Sequence, residues 1–277
     1  MSQVLERNAV HGIIPFYADP ELSPEEYAVF ATQTLRSIAH LGLRHPVVLV
    51  DDGDTLRGEV ALQDVVETIR LEPRGGKAEA VRYGIARALD RNPQLDYLIQ
   101  SDFNGDPSPR QAQRMVRTLQ SRGITGNVPA MVLGERDEAL DRRGYLDEHR
   151  RAIFEIQQTF CAMLGYPQLT DPTTGLRVYT RALAERFLDR GKATDFGSDI
   201  EQLVIARLVG AEVLPYKLKV TRKRANFTPI NKFRDCQVAL ILHEDDLRAI
   251  GLDEVVDTFG GEVTTSTLAN LNLNISD

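Results

Sequence analysis

At 277 residues the chain is long enough for one large α/β domain or two small ones, and either buries a substantial core. Apolar content of 42% and charged content of 26% are those of a soluble globular protein, and a net charge of -7 argues against a nucleic-acid binder while leaving room for a local basic pocket. No run approaches the length of a membrane-spanning helix, no signal-peptide layout opens the chain, and Cys161 and Cys236 form no CxxC pair, so a cytoplasmic location without a disulfide framework or structural zinc is expected; contact with a membrane surface stays compatible.

The first strand is expected at Gly12 to Phe16, closed by Tyr17, Ala18, Asp19 and Pro20. Ser23, Pro24 and Glu26 give a helix start with a capping box, and the helix runs to about His40. Val47 to Val50 reads as a central parallel strand and ends in Asp51, Asp52, Gly53 and Asp54. A short helix is assigned within Thr55 to Glu67, then a strand near Thr68 to Leu71. Arg74, Gly75, Gly76 and Lys77 open a helix carrying Ala80, Val81, Gly84, Ile85 and Leu89 at helical spacing.

The stretch from Tyr97, YLIQSDFNGD, is an apolar strand that switches abruptly to Ser101, Asp102, Asn104, Gly105 and Asp106. Such a cluster at a parallel strand end is where open α/β sheets place their ligands, although an Asx-rich turn has the same composition. Ser108 and Gln111 start a further helix to about Arg122, and Ala130 to Gly134 is a strand. Four strand–helix alternations, with strands too apolar to face water, predict a doubly wound parallel sheet whose polar strand ends open on one edge.

The second half is less regular. A helix is expected from about Tyr145 to Leu164, with Ile153, Ile156, Phe160 and Met163 inward, then a polar turn at Asp171 to Gly175 and helix at Leu183 to Leu188. Ser198 or Asp199 opens another helix to Val209, stopped by Gly210; Val213 to Val220 reads as a strand leading into Arg222, Lys223 and Arg224. Gln237 to Leu242 is an apolar run, and Ala249 to Asp277 ends in a polar tail. The five histidines are scattered; His243 is a weak ligand candidate, since a polar tip at the end of an apolar helix commonly reaches to water.

Carboxylate and amide oxygens suit Mg²⁺ or Mn²⁺, and Asp102, Asn104 and Asp106 alternate, so in an extended turn their side chains share a side. Lys77 and Arg74 beside paired glycines can approach a phosphate at a helix N-terminus, while Asp51 or Asp52 can accept hydrogen bonds from a base or ribose. The glycine pair lacks the Walker and GxGxxG spacings, which disfavours ATP hydrolysis and NAD chemistry.

The ordered segments IIPFYAD, VVLVDDGDT, RGGKAEAVRYGI, SDFNGDPSP, VLGERD, DPTTGLRVYTR and SDIEQLVIARLVG, spanning Gly12 to Arg224, resemble family 2 glycosyltransferases of the GT-A fold, nearest their polyprenol-phosphate mannosyltransferase branch. The resemblance implies a Rossmann-like, mostly parallel sheet flanked by helices. It divides the chain into a domain over 1–245, with a nucleotide-sugar half at 10–134 and an acceptor half at 135–245, and an extension at 246–277. It implies a nucleotide diphosphate sugar donor of the GDP-mannose or UDP-hexose type, Mg²⁺ or Mn²⁺, and an acceptor that is a small molecule or a polyprenyl phosphate. A homodimer is compatible with it.

By the same resemblance Pro15, Tyr17, Asp19, Asp51 and Asp52 lie on the nucleotide side and Lys77 near the diphosphate; Arg74 and Ser101 beside them are further donor-binding candidates. Asp102 and Asn104 take the places of the DxD motif, with Asp106 beside them as a third metal ligand. Arg136, Thr174 to Arg177, and Arg222 or Arg224 match later donor-binding segments. Asp199, eleven residues before Gly210, matches the aspartate that takes the acceptor proton in an inverting transfer, with Glu201 in reserve; a helix N-cap is the plainer role for Asp199. Two other readings stay open: a sugar-phosphate nucleotidyltransferase, disfavoured because Ile13 to Asp19 holds no lysine or arginine, and a non-catalytic sugar-nucleotide-binding protein, hinted at by Asn104.

Overall fold

The computed structural model describes residues 10–16, 23, 25, 43, 46–53, 66–101, 109–136, 148–193, 197–218 and 237–259, with the backbone alone at 109, 136 and 148–154. Strands β1 (Val10–Phe16), β2 (Val47–Asp52), β3 (Val66–Leu71), β4 (Tyr97–Gln100), β5 (Ala130–Arg136), β6 (Arg177–Thr180) and β7 (Glu212–Leu218) form one sheet in the order β3-β2-β1-β4-β6-β5-β7. β1 is parallel to β2 and β4, β2 to β3 and β5 to β7; only β6 runs against its neighbours β4 and β5. Six strands therefore end on one edge, and β6 begins there.

Alternation along each strand builds two hydrophobic layers, because successive side chains leave opposite faces of a pleated sheet. Ile13, Val48, Val50, Leu98, Met131 and Tyr179 enter one layer, while Ile14, Val47, Leu49, Ile99, Val132 and Val178 enter the other. The first layer is completed by helices α1 (Lys77–Arg91), α3 (Glu148–Met163), α4 (Arg181–Arg190) and α5 (Ser198–Leu208), and the second by α2 (Pro109–Ser121). Burial on both faces explains why β1, β2 and β4 read as continuous apolar runs. Gly84 of α1 permits a close approach: a Cβ there would lie 3.3 Å from both Ile13 Cβ and Val50 Cγ2.

The observed elements add to the expected ones in two places. β6 was not expected, since four residues between a polar turn and a helix carry no readable period; with that one strand reversed the sheet is mostly parallel, as the resemblance implies. Residues 237–242 are helical, followed by α6 (Glu244–Ala249) and α7 (Asp253–Phe259), so the segment after Ala249 opens with a helix that is apolar on one side. Leu247, Val255, Val256 and Phe259 join the main core, and Phe259 meets Phe160 edge to face at 5.5 Å. The helix expected at Ser23 to His40 and the short helix within Thr55 to Glu67 fall largely outside the described residues; Val66 and Glu67 belong to β3.

Candidate active site

The common strand-end edge gathers the described site candidates. β2 ends in Asp51 and Asp52, both buried. Asp52 Oδ1 accepts the Gly75 N–H at 2.7 Å and the Gly76 N–H at 3.1 Å, and Oδ2 accepts from Gly76 at 3.1 Å and from Arg74 Nε at 3.4 Å. The carboxylate thus ties the glycine turn to the sheet and takes up the Gly75 and Gly76 amides. Gly76 is the N-cap of α1 with φ 85, a left-handed conformation that favours glycine, so Lys77 is delivered as the first helical residue. Asp51 lies 3.9 Å from Arg70 of β3.

Lys77 Nζ donates to Asp199 Oδ2 at 2.9 Å. Asp199 is buried in the first turn of α5, where the helix dipole favours an anion. Its N-cap role is corrected: the N-cap is Gly197, and no side chain caps the helix. On the inner side, Arg177 Nη2 lies 3.5 Å from Asp199 Oδ1, and Arg177 Nη1 donates to the Asp199 main-chain carbonyl at 2.7 Å. Arg177 is the first residue of β6, in register with Gln100 at the end of β4; the reversal of that strand places an arginine at an edge where its neighbours end.

Two buried amides join this cluster. Gln202 Nε2 donates to Gln100 Oε1 at 3.0 Å, and Gln202 Oε1 accepts from Arg177 Nη1 at 3.2 Å. Neither glutamine was singled out beforehand. A polar residue closing the apolar run YLIQ, and a second one turn after Asp199, were the available signals. Beside them Thr174 Oγ1 donates to Asp171 Oδ2 at 2.7 Å, and Glu135 Oε1 accepts the Thr170 N–H at 2.5 Å, so the 170–175 turn is fastened to β5 as well as to Arg177.

Glu201 is occupied elsewhere. Its Oε1 accepts the N–H groups of Lys192 and Ala193 at 2.6 and 2.9 Å and lies 3.0 Å from His243 Nε2. Burial pushes its carboxyl up, but the His243 hydrogen bond and the two amides outweigh that and hold it below the usual value. His243 is fully buried, a partner of Glu201 rather than a tip reaching to water.

Pro15 is half-buried in β1 opposite Val50, and Ser101 donates its N–H to Ile13 O at 3.2 Å, fixing the exit of β4 beside β1. Arg136 ends β5 on the same edge. Tyr17, Asp19, Asp102, Asn104, Asp106, Arg222 and Arg224 lie outside the described residues. Among the described residues no group of three or more His, Cys, Asp and Glu side chains is arranged to hold a metal, and no helix is long and apolar enough to cross a membrane.

The sheet and its flanking helices define the fold class: GT-A, that of nucleotide-sugar glycosyltransferases. Among solved structures the chain is similar to glucosyl-3-phosphoglycerate synthase from Mycobacterium tuberculosis. The complex of that protein with Mn²⁺, UDP-glucose and phosphoglyceric acid matches with a TM-score of 0.59 at 16% identity, over 86% of this chain and 79% of that one. Its complex with Mn²⁺, UDP and phosphoglyceric acid gives 0.60 at 16% identity over 86% and 78%, and its complex with Mg²⁺ and UDP gives 0.58 at 16% over 85% and 78%. No protein-family model and no curated protein matches the sequence.

Proposed function

We propose that the chain is a glycosyltransferase that moves a sugar from a nucleotide diphosphate sugar to an acceptor hydroxyl, with a phosphate-bearing small molecule as the preferred acceptor class. The observation that carries this reading is the Lys77–Asp199–Arg177 cluster at the common strand-end edge, the position at which open α/β sheets receive ligands. Two cations against one carboxylate leave a net positive charge there, suited to a diphosphate. The acceptor class follows the structural neighbours, whose complexes hold UDP-glucose and phosphoglyceric acid.

Asp102, Asn104 and Asp106 follow β4 directly in sequence, an all-oxygen donor set that fits Mg²⁺ or Mn²⁺. A divalent cation held there supplies charge neutralisation at the diphosphate. In the inverting course we favour, the acceptor oxygen forms a bond to the anomeric carbon as the bond from that carbon to the diphosphate breaks. The electron pair leaves with the nucleoside diphosphate, and the acceptor proton passes to Asp199. As that bond breaks, Lys77 exchanges its contact with Asp199 for the departing phosphate, and the carboxylate so freed takes the proton.

The test is a thermal-shift series with UDP, GDP and their hexose conjugates, with and without Mn²⁺, followed by measurement of nucleoside diphosphate release with 3-phosphoglycerate and with a polyprenyl phosphate. Binding at 100 times Kd stabilises by about 2.7 kcal/mol, a readily measured shift. Metal-dependent stabilisation that Asp102→Ala removes, together with sugar-dependent release, supports the reading. No shift at millimolar nucleotide sinks it, and pyrophosphate release from nucleoside triphosphate and sugar phosphate would replace it with a nucleotidyltransferase.

A further inference from the structure

The resemblance in sequence sets Arg177 among the donor-binding residues, yet its side chain is wholly buried and engaged in four hydrogen bonds within the protein. Nε donates to Thr174 O at 3.3 Å, Nη1 to Asp199 O at 2.7 Å and Gln202 Oε1 at 3.2 Å, and Nη2 to Pro172 O at 2.5 Å. Three of these four acceptors are main-chain carbonyls, two on the 171–175 turn and one in the first turn of α5. A guanidinium presents five N–H donors in a fixed fork, which lysine cannot copy. Lys77 grips the same carboxylate from the outside, with a side chain 10% exposed against 0% for Arg177.

We infer that Arg177 is a positioning residue: its guanidinium locks the 171–175 turn and the start of α5 into one unit and holds the Asp199 carboxylate in place when Lys77 turns to a phosphate. The role of Asp199 in this statement rests on the glycosyltransferase reading, whereas the lock itself does not. The division of labour follows from geometry. Arg177 touches both the carbonyl and the carboxylate of Asp199, so the residue keeps a cationic partner whether Lys77 is present or withdrawn. Glu135 anchors the far side of the turn through the Thr170 and Asp171 amides, so a change at Arg177 spreads to a segment already tied to β5.

Hydrogen exchange on the full chain tests the lock without reference to activity. In Arg177→Lys the amides of Thr170 and Asp171, bonded to Glu135, and those of Ile200 and Glu201, bonded to Gly197, are expected to exchange together about tenfold faster or more, with the α1 amides unchanged. Kinetics give the second arm. kcat is expected to fall about 100-fold with donor KM within about threefold, since misplacing a reacting group costs turnover rather than binding. Lys77→Ala, which loses the contact to the departing phosphate, should lower kcat and raise donor KM together. Loosening of one segment alone, unchanged exchange, or a loss of nucleotide affinity equal to that of Lys77→Ala overturns the inference. If Arg177→Lys does not fold, Gln202→Met removes one acceptor of the guanidinium and should loosen both segments to a smaller degree; unchanged exchange there is equally decisive against it. A chain that transfers no sugar yet loosens in this way refutes the glycosyltransferase reading and leaves the lock standing.

Discussion

Lys77 and Asp199 stand 122 residues apart in sequence and 2.9 Å apart in space, joining the N-terminal ends of α1 and α5 across the strand-end edge. The pairing separates two functions that can be measured independently. Lys77→Ala should weaken nucleoside diphosphate binding, read as a smaller thermal shift at fixed ligand. Asp199→Asn should keep that binding and lower kcat by about 100- to 10,000-fold, the usual contribution of a positioned general base. Equal loss of binding in both variants would mean that Asp199 serves only to hold Lys77.

Much of this edge was legible in the sequence, and the reasons are physical. Strand ends announce themselves when an apolar run stops at polar residues, as at Asp51 and Ser101, and helix starts when glycines precede a periodic segment, as at Gly75 and Gly76. β6 stayed hidden because four residues carry no period, and with it went the placement of Arg177 opposite Gln100. The partnership of Glu201 with His243 was also invisible, because no local pattern reports a contact across 42 residues.

Asp52 offers a stability test. Asp52→Ala leaves the Gly75 and Gly76 N–H groups without their acceptor in a part-buried turn. An unsatisfied group of this kind costs about 1–3 kcal/mol, and urea unfolding should show a loss in that range. Asp52→Asn keeps an acceptor oxygen and should lose less. If Asp52→Ala unfolds like the parent, the carboxylate does not secure the turn.

The pH dependence follows from Glu201. Its folded-state carboxyl sits below the ordinary value, so its contribution to stability is present above about pH 4.3 and is lost as the pH falls through the folded value. Glu201→Gln keeps an acceptor for the Lys192 and Ala193 amides but cannot ionise. Thermal melts from pH 7 to pH 3 should show a shallower acid limb in the variant and a smaller difference between the two proteins at pH 3 than at pH 7. Parallel curves would place the acid sensitivity elsewhere.

Phe259 decides whether the C-terminal helices fold as one unit with the sheet. It is buried, stacks edge to face on Phe160 of α3 at 84°, and shares a core cluster with Val255, Val256 and Leu247. Removing a buried phenylalanine leaves a cavity that its neighbours fill incompletely, at a cost of about 3–5 kcal/mol. Because α3 leads to the 170–175 turn and His243 reaches Glu201 in α5, that loss should appear as one cooperative transition at lower denaturant rather than as a separate early step. Chemical denaturation followed by both circular dichroism and tyrosine fluorescence is the measurement. Two transitions in Phe259→Ala would show that the segment after 245 folds as an independent extension.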